Sequence, residues 1–197
     1  AKGVATLNML KKLASLSNPD YLTHDSEAIK VEWESGKVAL MTLWASRSGT
    51  LLDDEGDAKI TAATKLTGPA TVGGGNIPAA TLWWDGFTLA KNRSDSDAEA
   101  TFIALAHAAS NKKMVADAAD QAVWLVEGFV PGPKSIGVIE AVKMGAKPYP
   151  MLPQMGLMHG ALGSEIVEFL QGKESAEQAL KDVEAAYISK AKEQGFL

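Results

Sequence analysis

Five tryptophans stand in a chain of 197 residues, and three of them, Trp44, Trp83 and Trp84, fall where strands would end or loops begin. A flat indole stacks on the C–H face of a sugar ring, while neighbouring carboxylates and amides take up hydroxyls. The run Trp83-Trp84-Asp85-Gly86 therefore has the chemistry of a carbohydrate subsite, with Trp44 as a further candidate. Against this stands the plain reading that one of Trp83 and Trp84 is core. Trp33 and Trp124 read as core residues.

Catalytic and metal-binding patterns are thin. The three histidines, His24, His107 and His159, never fall at a ligand spacing such as HxxxH, so no metal or other cofactor is expected. In His24-Asp25, Asp25 reads as a helix cap rather than half of an acid–base pair. Gly73-Gly74-Gly75 lacks the Lys-Ser or Lys-Thr that follows a phosphate-cradling loop and reads as a flexible crossover. A carbohydrate-processing enzyme would need Asp53, Asp54 or Asp85 to converge as a carboxylate pair across a cleft. A third reading makes the acidic loop Asp53 to Asp57 a docking surface, against the commoner role of a charge run as solvated face.

The bulk composition narrows the classes. With 46% hydrophobic and 22% charged residues the chain can bury a core. A formal charge of -5 leaves no basic patch for a phosphate backbone, so nucleic acid is not an expected partner. No apolar run approaches the roughly 20 residues of a membrane-spanning helix. Cysteine is absent, which removes disulfides and thiolate chemistry. Ala1 is not followed by a basic-then-apolar leader, so a signal peptide was either never present or has been removed.

The elements that would position these residues are mostly helical. Val4, Leu7, Leu10, Leu13 and Leu16 recur at three-residue steps and predict an amphipathic helix ending at Asn18-Pro19. A second helix is predicted over 25–35, capped by Gly36. Val38 to Trp44 is a nearly continuous apolar run, which suits a strand buried on both faces. Loops are expected at 46–59 and 66–78, and strand material around an Asp-Gly turn at 81–90. Ser94 to Asp97 would cap a helix over 98–109, with Phe102, Leu105 and Ala109 on one face. Further helices are predicted over about 111–122, 134–144, 155–171 and after Ser175, where Gln178 completes a capping-box arrangement. Between them Pro148, Pro150 and Pro153 mark a stiff extended stretch able to position a site. Helix-flanked strands predict an α/β class with mixed or parallel sheets.

Several segments in order resemble the extracellular solute-binding proteins of the maltose-binding type, the sugar-binding components of ABC importers. Gly36-Lys37-Val38-Ala39-Leu40-Met41 resembles the family's Gly-Lys strand, and Gly86 to Ser94 before an acidic helix resembles its crossing. Val130-Pro131, the segment Pro150-Met151-Leu152-Pro153-Gln154-Met155 and Ser175 to Leu180 resemble its later turn, proline-rich segment and closing helix. The resemblance covers the second half of a family member about twice this long. It implies a periplasmic-binding-protein-like, type II two-lobed α/β fold of which this chain supplies one half. Residues 1–77 would belong to the C-terminal lobe, 78–128 would cross into the N-terminal lobe, and 129–197 would return. It further implies a non-enzymatic protein, secreted to the periplasm or extracellular space, that binds a small sugar or polyol in an interlobe cleft. Its partners would be the ABC transporter membrane subunits and the missing N-terminal half of the same protein. Trp44 would lie near a stacking aromatic, Trp83, Trp84 and Asp85 beside the cleft, and His159 where relatives carry a stacking Trp, favouring a smaller or more polar ligand.

Overall fold

The computed structural model describes residues 1–197 except Asp54, Asn111, Asp120 and Leu125, and the side chain of Met114. These residues form eight α-helices, four short 3-10 turns and two strands of two residues each. The chain divides into two compact units, one made of Ala1–Ser26 with Pro150–Leu197 and the other of Glu27–Tyr149.

The first unit holds α1 (Lys2–Ala14), α7 (Pro153–Leu170) and α8 (Ala176–Glu193). Pro153 opens α7, where its missing N–H costs nothing. Ser175 caps α8 by accepting the Gln178 N–H at 3.1 Å. The Gln178 amide does not complete the expected box but donates to both carboxylate oxygens of Asp182 at 3.0 Å. Gly172, at φ 79°, ends α7 in the left-handed conformation, letting its own N–H and that of Lys173 reach back to the Phe169 and Glu168 carbonyls. The hairpin so formed packs α7 on α8, with Ala161 of α7 and Ala179 of α8 fully buried. Leu7 of α1 joins Phe169, Ala176 and Ala179 in one apolar cluster, flanked by Val4, Ile166, Leu170 and Leu180. The Lys11 ammonium sits 4.6 Å from the centre of the Phe169 ring.

Only the first part of the α1 apolar stripe is used. Leu10, Leu13 and Leu16 are exposed, at 38%, 55% and 78%. A three-residue step turns about 300° on a helix, so each successive leucine rotates about 60° away from the face that carries Leu7.

The second unit holds α2 (Ser26–Glu34, entered from the first unit), α3 (Ala58–Ala63), β1 (Thr81–Leu82), α4 (Asp95–Ser110), α5 (Lys112–Asp117), α6 (Ile136–Lys143) and β2 (Lys147–Pro148). Gly36, at φ 71°, closes α2 by the same reach-back geometry as Gly172, with the Lys37 N–H on the Glu32 carbonyl. Asp57 caps α3 through the Lys59 N–H at 2.7 Å, and the Ser94 hydroxyl accepts the Asp97 N–H at 3.2 Å to start α4. The 3-10 turn Ala45–Leu52 packs on α6 and on the turn Pro133–Ser135 before it. There the buried Ser48 hydroxyl shares its proton between the Ala45 and Lys134 carbonyls, at 2.6 and 3.0 Å. β1 and β2 run parallel, with Thr81 opposite Lys147 and Leu82 opposite Pro148.

The expected α/β, two-lobed type II architecture is not what forms. Among the described residues the structure is 57% helical with only two short parallel strands, a small helical protein. Two predicted strands account for the difference. Val38 to Trp44 is irregular, and Leu40 in its middle is 90% exposed. A strand buried on both faces needs hydrogen-bonded neighbours, and no described segment pairs with this one. At 81–90 only Thr81–Leu82 is strand, and it pairs with Lys147–Pro148 instead of folding back at Asp85-Gly86. On α4, Leu105 and Ala109 are half-buried but Phe102 is exposed, so the expected face is only partly covered.

Candidate functional site

β1 delivers the indole pair. The Tyr149 N–H donates to the Leu82 carbonyl at 2.9 Å, which continues the β1–β2 register by one residue and brings Trp83 opposite Tyr149. The two rings stack with centroids 3.8 Å apart and planes inclined by 25°. The Trp83 Nε1–H donates to Thr81 Oγ1 at 2.9 Å, which fixes the indole along its edge as well as its face. Trp83 nevertheless remains 51% exposed and Trp84 49%, and Asp85 beyond them is exposed.

Trp44 lies in the same unit but on a separate segment, as the residue that leads into the 3-10 turn Ala45–Leu52, and is 64% exposed. Among the described residues no ring contact joins it to Trp83 or Trp84. His159 belongs to the first unit, exposed on α7. Trp33 and Trp124 are half-buried with their indole N–H groups satisfied internally, by Thr64 Oγ1 at 2.9 Å and the Ala118 carbonyl at 3.0 Å.

The aromatic that sequence reasoning missed is Tyr149. Its signal was present in the proline-rich stretch: Pro148 and Pro150 flank it, and a residue before proline is held extended. What the sequence did not supply was its partner across the β1–β2 pair.

The acidic loop is tied down. Lys30 Nζ lies 2.7 Å from Glu55 Oε2, 3.3 Å from Asp53 Oδ2 and 3.4 Å from Glu34 Oε1. The Glu55 bond, with those from Asp53 and Glu34, lifts the Lys30 pKa well above its ordinary value against an opposing desolvation effect. Asp53 also accepts the Glu55 N–H at 3.0 Å through its other oxygen, so both of its oxygens are engaged in structure. Asp54 lies outside the described residues. Arg47, within the 3-10 turn Ala45–Leu52, pairs with Glu27 of α2.

Two apolar hollows lie elsewhere in this unit. One of about 280 Å³ is bounded by Val115, Ala116, Phe129 and Val130 with Lys112 and Glu127 at its rim, and one of about 130 Å³ by Phe87, Ala109, Val115 and Trp124. Among the described residues no group of three or more His, Cys, Asp or Glu could hold a metal ion, and no helix is long and apolar enough to cross a membrane.

No family model, curated protein or solved structure matches this chain significantly. The reading of the ligand class therefore rests on the chain's own residues. What the arrangement can do chemically is present flat aromatic surface beside a solvated carboxylate: Trp83 and Trp84 offer stacking area, and Asp85 accepts hydroxyl hydrogen bonds.

Proposed function

We propose that this chain is a solute-binding component of an ABC importer that takes up a small carbohydrate or polyol on the aromatic surface formed around Trp83, without chemistry of its own. The observation that carries the ligand class is the half-exposed, edge-pinned indole of Trp83 beside Trp84 and Asp85. Exposed tryptophan is costly surface, and a ligand with an apolar ring face recovers that cost on binding. The transport role rests on the ordered resemblance of five segments to the maltose-binding type, and delivery to such an importer would place the protein outside the cytoplasm. Closure of two lobes over the ligand belongs to an architecture this chain does not have and is no part of the proposal.

The test is equilibrium titration of the chain with a panel of monosaccharides, disaccharides and polyols, with product analysis of each mixture. Saturable binding that leaves the ligand chemically unchanged supports the reading. Hydrolysis or isomerisation of any panel member would move it to the carbohydrate-processing enzyme, and the absence of binding across the panel would remove it.

A further inference from the structure

The contact between Trp83 and Tyr149 extends the carbohydrate-binding reading and rests on it. We infer that Tyr149 is a positioning residue that clamps the Trp83 indole, so that its opposite face forms a fixed platform for a pyranose ring and the site selects ring-form sugars over open-chain polyols.

Four restraints converge on this one indole. Tyr149 covers one face at 3.8 Å, and the Thr81 hydroxyl holds the Nε1 edge at 2.9 Å. The Tyr149 N–H on the Leu82 carbonyl locks the register that puts the two rings opposite each other. Pro148 and Pro150 on either side of Tyr149 remove backbone freedom from the clamp itself. With Tyr149 stacked on one face, Trp83 as a residue still keeps 51% of its surface exposed. Among the described residues no ring contact joins Trp84 to Trp83, so it does not complete a sandwich.

A single rigid aromatic face suits a ligand that is itself flat and rigid. A pyranose with axial hydrogens on one side meets it without losing internal rotations, whereas an open-chain polyol must freeze several torsions to offer comparable contact. The clamp also removes the cost of immobilising the indole when ligand arrives.

The experiment uses the full 197-residue chain and, as probes, the methyl β-pyranosides of glucose, galactose and xylose with glucitol as the open-chain comparator. Saturation-transfer NMR, irradiating aromatic protons, reads which ligand protons face a ring. Near-ultraviolet circular dichroism reads the Trp–Tyr stack independently of ligand. The expected result is preferential transfer to H1, H3 and H5 of at least one pyranoside, with glucitol bound about tenfold more weakly. Trp83→Ala abolishes that transfer, Tyr149→Phe preserves it, and Tyr149→Leu, which keeps apolar bulk but not the flat ring, weakens binding about tenfold and loses the stack signal with helix content unchanged. Pyranoside binding that survives Trp83→Ala or Tyr149→Leu, or glucitol bound as tightly as the best pyranoside, overturns the inference while leaving carbohydrate binding in place. Should Tyr149→Leu fail to fold, the pyranoside-to-glucitol ratio and the Trp83→Ala result decide it. An intact stack signal with no pyranoside bound overturns this inference, and the absence of binding across the whole sugar and polyol panel overturns the carbohydrate reading with it.

Discussion

Trp83 and Tyr149 lie ring on ring, 3.8 Å between centroids, at the point where the two-residue strands β1 and β2 stop pairing. Such short strands supply little ladder energy of their own, so the stack continues in side chains what the backbone begins. The pair therefore serves as the end-clamp of the sheet as well as the platform of the proposed site.

Trp44→Ala is expected to leave the fold intact, because the residue is 64% exposed. The same change is expected to weaken ligand affinity by about 1 to 3 kcal/mol through lost stacking, as is Asp85→Ala through lost hydrogen bonds. Calorimetric titration of both variants checks this; unchanged affinity in both would remove these residues from the site.

Phe169 is 3% exposed and gathers Leu7, Ala176 and Ala179 around it under the Lys11 ammonium. Phe169→Ala is expected to cost about 3 to 5 kcal/mol of stability in the first unit, and Lys11→Met about 0.5 to 1 kcal/mol. Urea unfolding followed by circular dichroism measures both, and near-equal losses would contradict the assignment of Phe169 as the core anchor.

Lys30 titrates higher in the folded chain than the ordinary 10.5, chiefly because Glu55 accepts from its ammonium. A raised folded pKa means that the contribution of this cluster is complete below the ordinary lysine value and is lost as pH rises through the folded one. Stability of the second unit is thus expected to fall on going above about pH 10.5, and Lys30→Met should flatten that alkaline limb. Melting temperatures recorded from pH 8 to 12 show whether the two proteins converge at the alkaline end.

Glu174 behaves in the opposite sense for a carboxylate. Desolvation raises its pKa, with repulsion from Asp182, Glu168 and Glu165 adding to it and a hydrogen bond from the Phe169 backbone partly opposing. Its folded pKa lies above the unfolded value, so its contribution is present below the ordinary carboxylate pKa and lost as pH rises through the folded one. Glu174→Gln is therefore expected to raise the melting temperature at pH 7 and to change it little at pH 4, which thermal scans at the two values test directly.

Helices with local signals were legible from sequence. Ser175 and Gly172 fix the ends of α8 and α7 through bonds within a few residues, so their residue types were sufficient. The strand predicted over Val38 to Trp44 failed because pairing is non-local: apolar side chains describe what a strand would bury, not whether a neighbour exists to bond it. The leucine steps of α1 identified a helix correctly but overstated its buried face, since a constant step of three drifts around the axis. At the candidate site the indoles were visible as residue types, while Tyr149 and the Thr81 anchor emerged only once β1 had found β2.

The first unit draws its helices from both sides of the second, with α1 before it and α7 and α8 after it. On a ribosome, α1 leaves the exit tunnel well before Phe169 or Ala179 has been synthesised, so Leu7 has no apolar partner from that cluster while residues 27–149 are being made. The later-starting unit can complete its contacts first, and the earlier-starting one must wait. During that interval Leu7 adds to the apolar surface of α1 that a chaperone can cover.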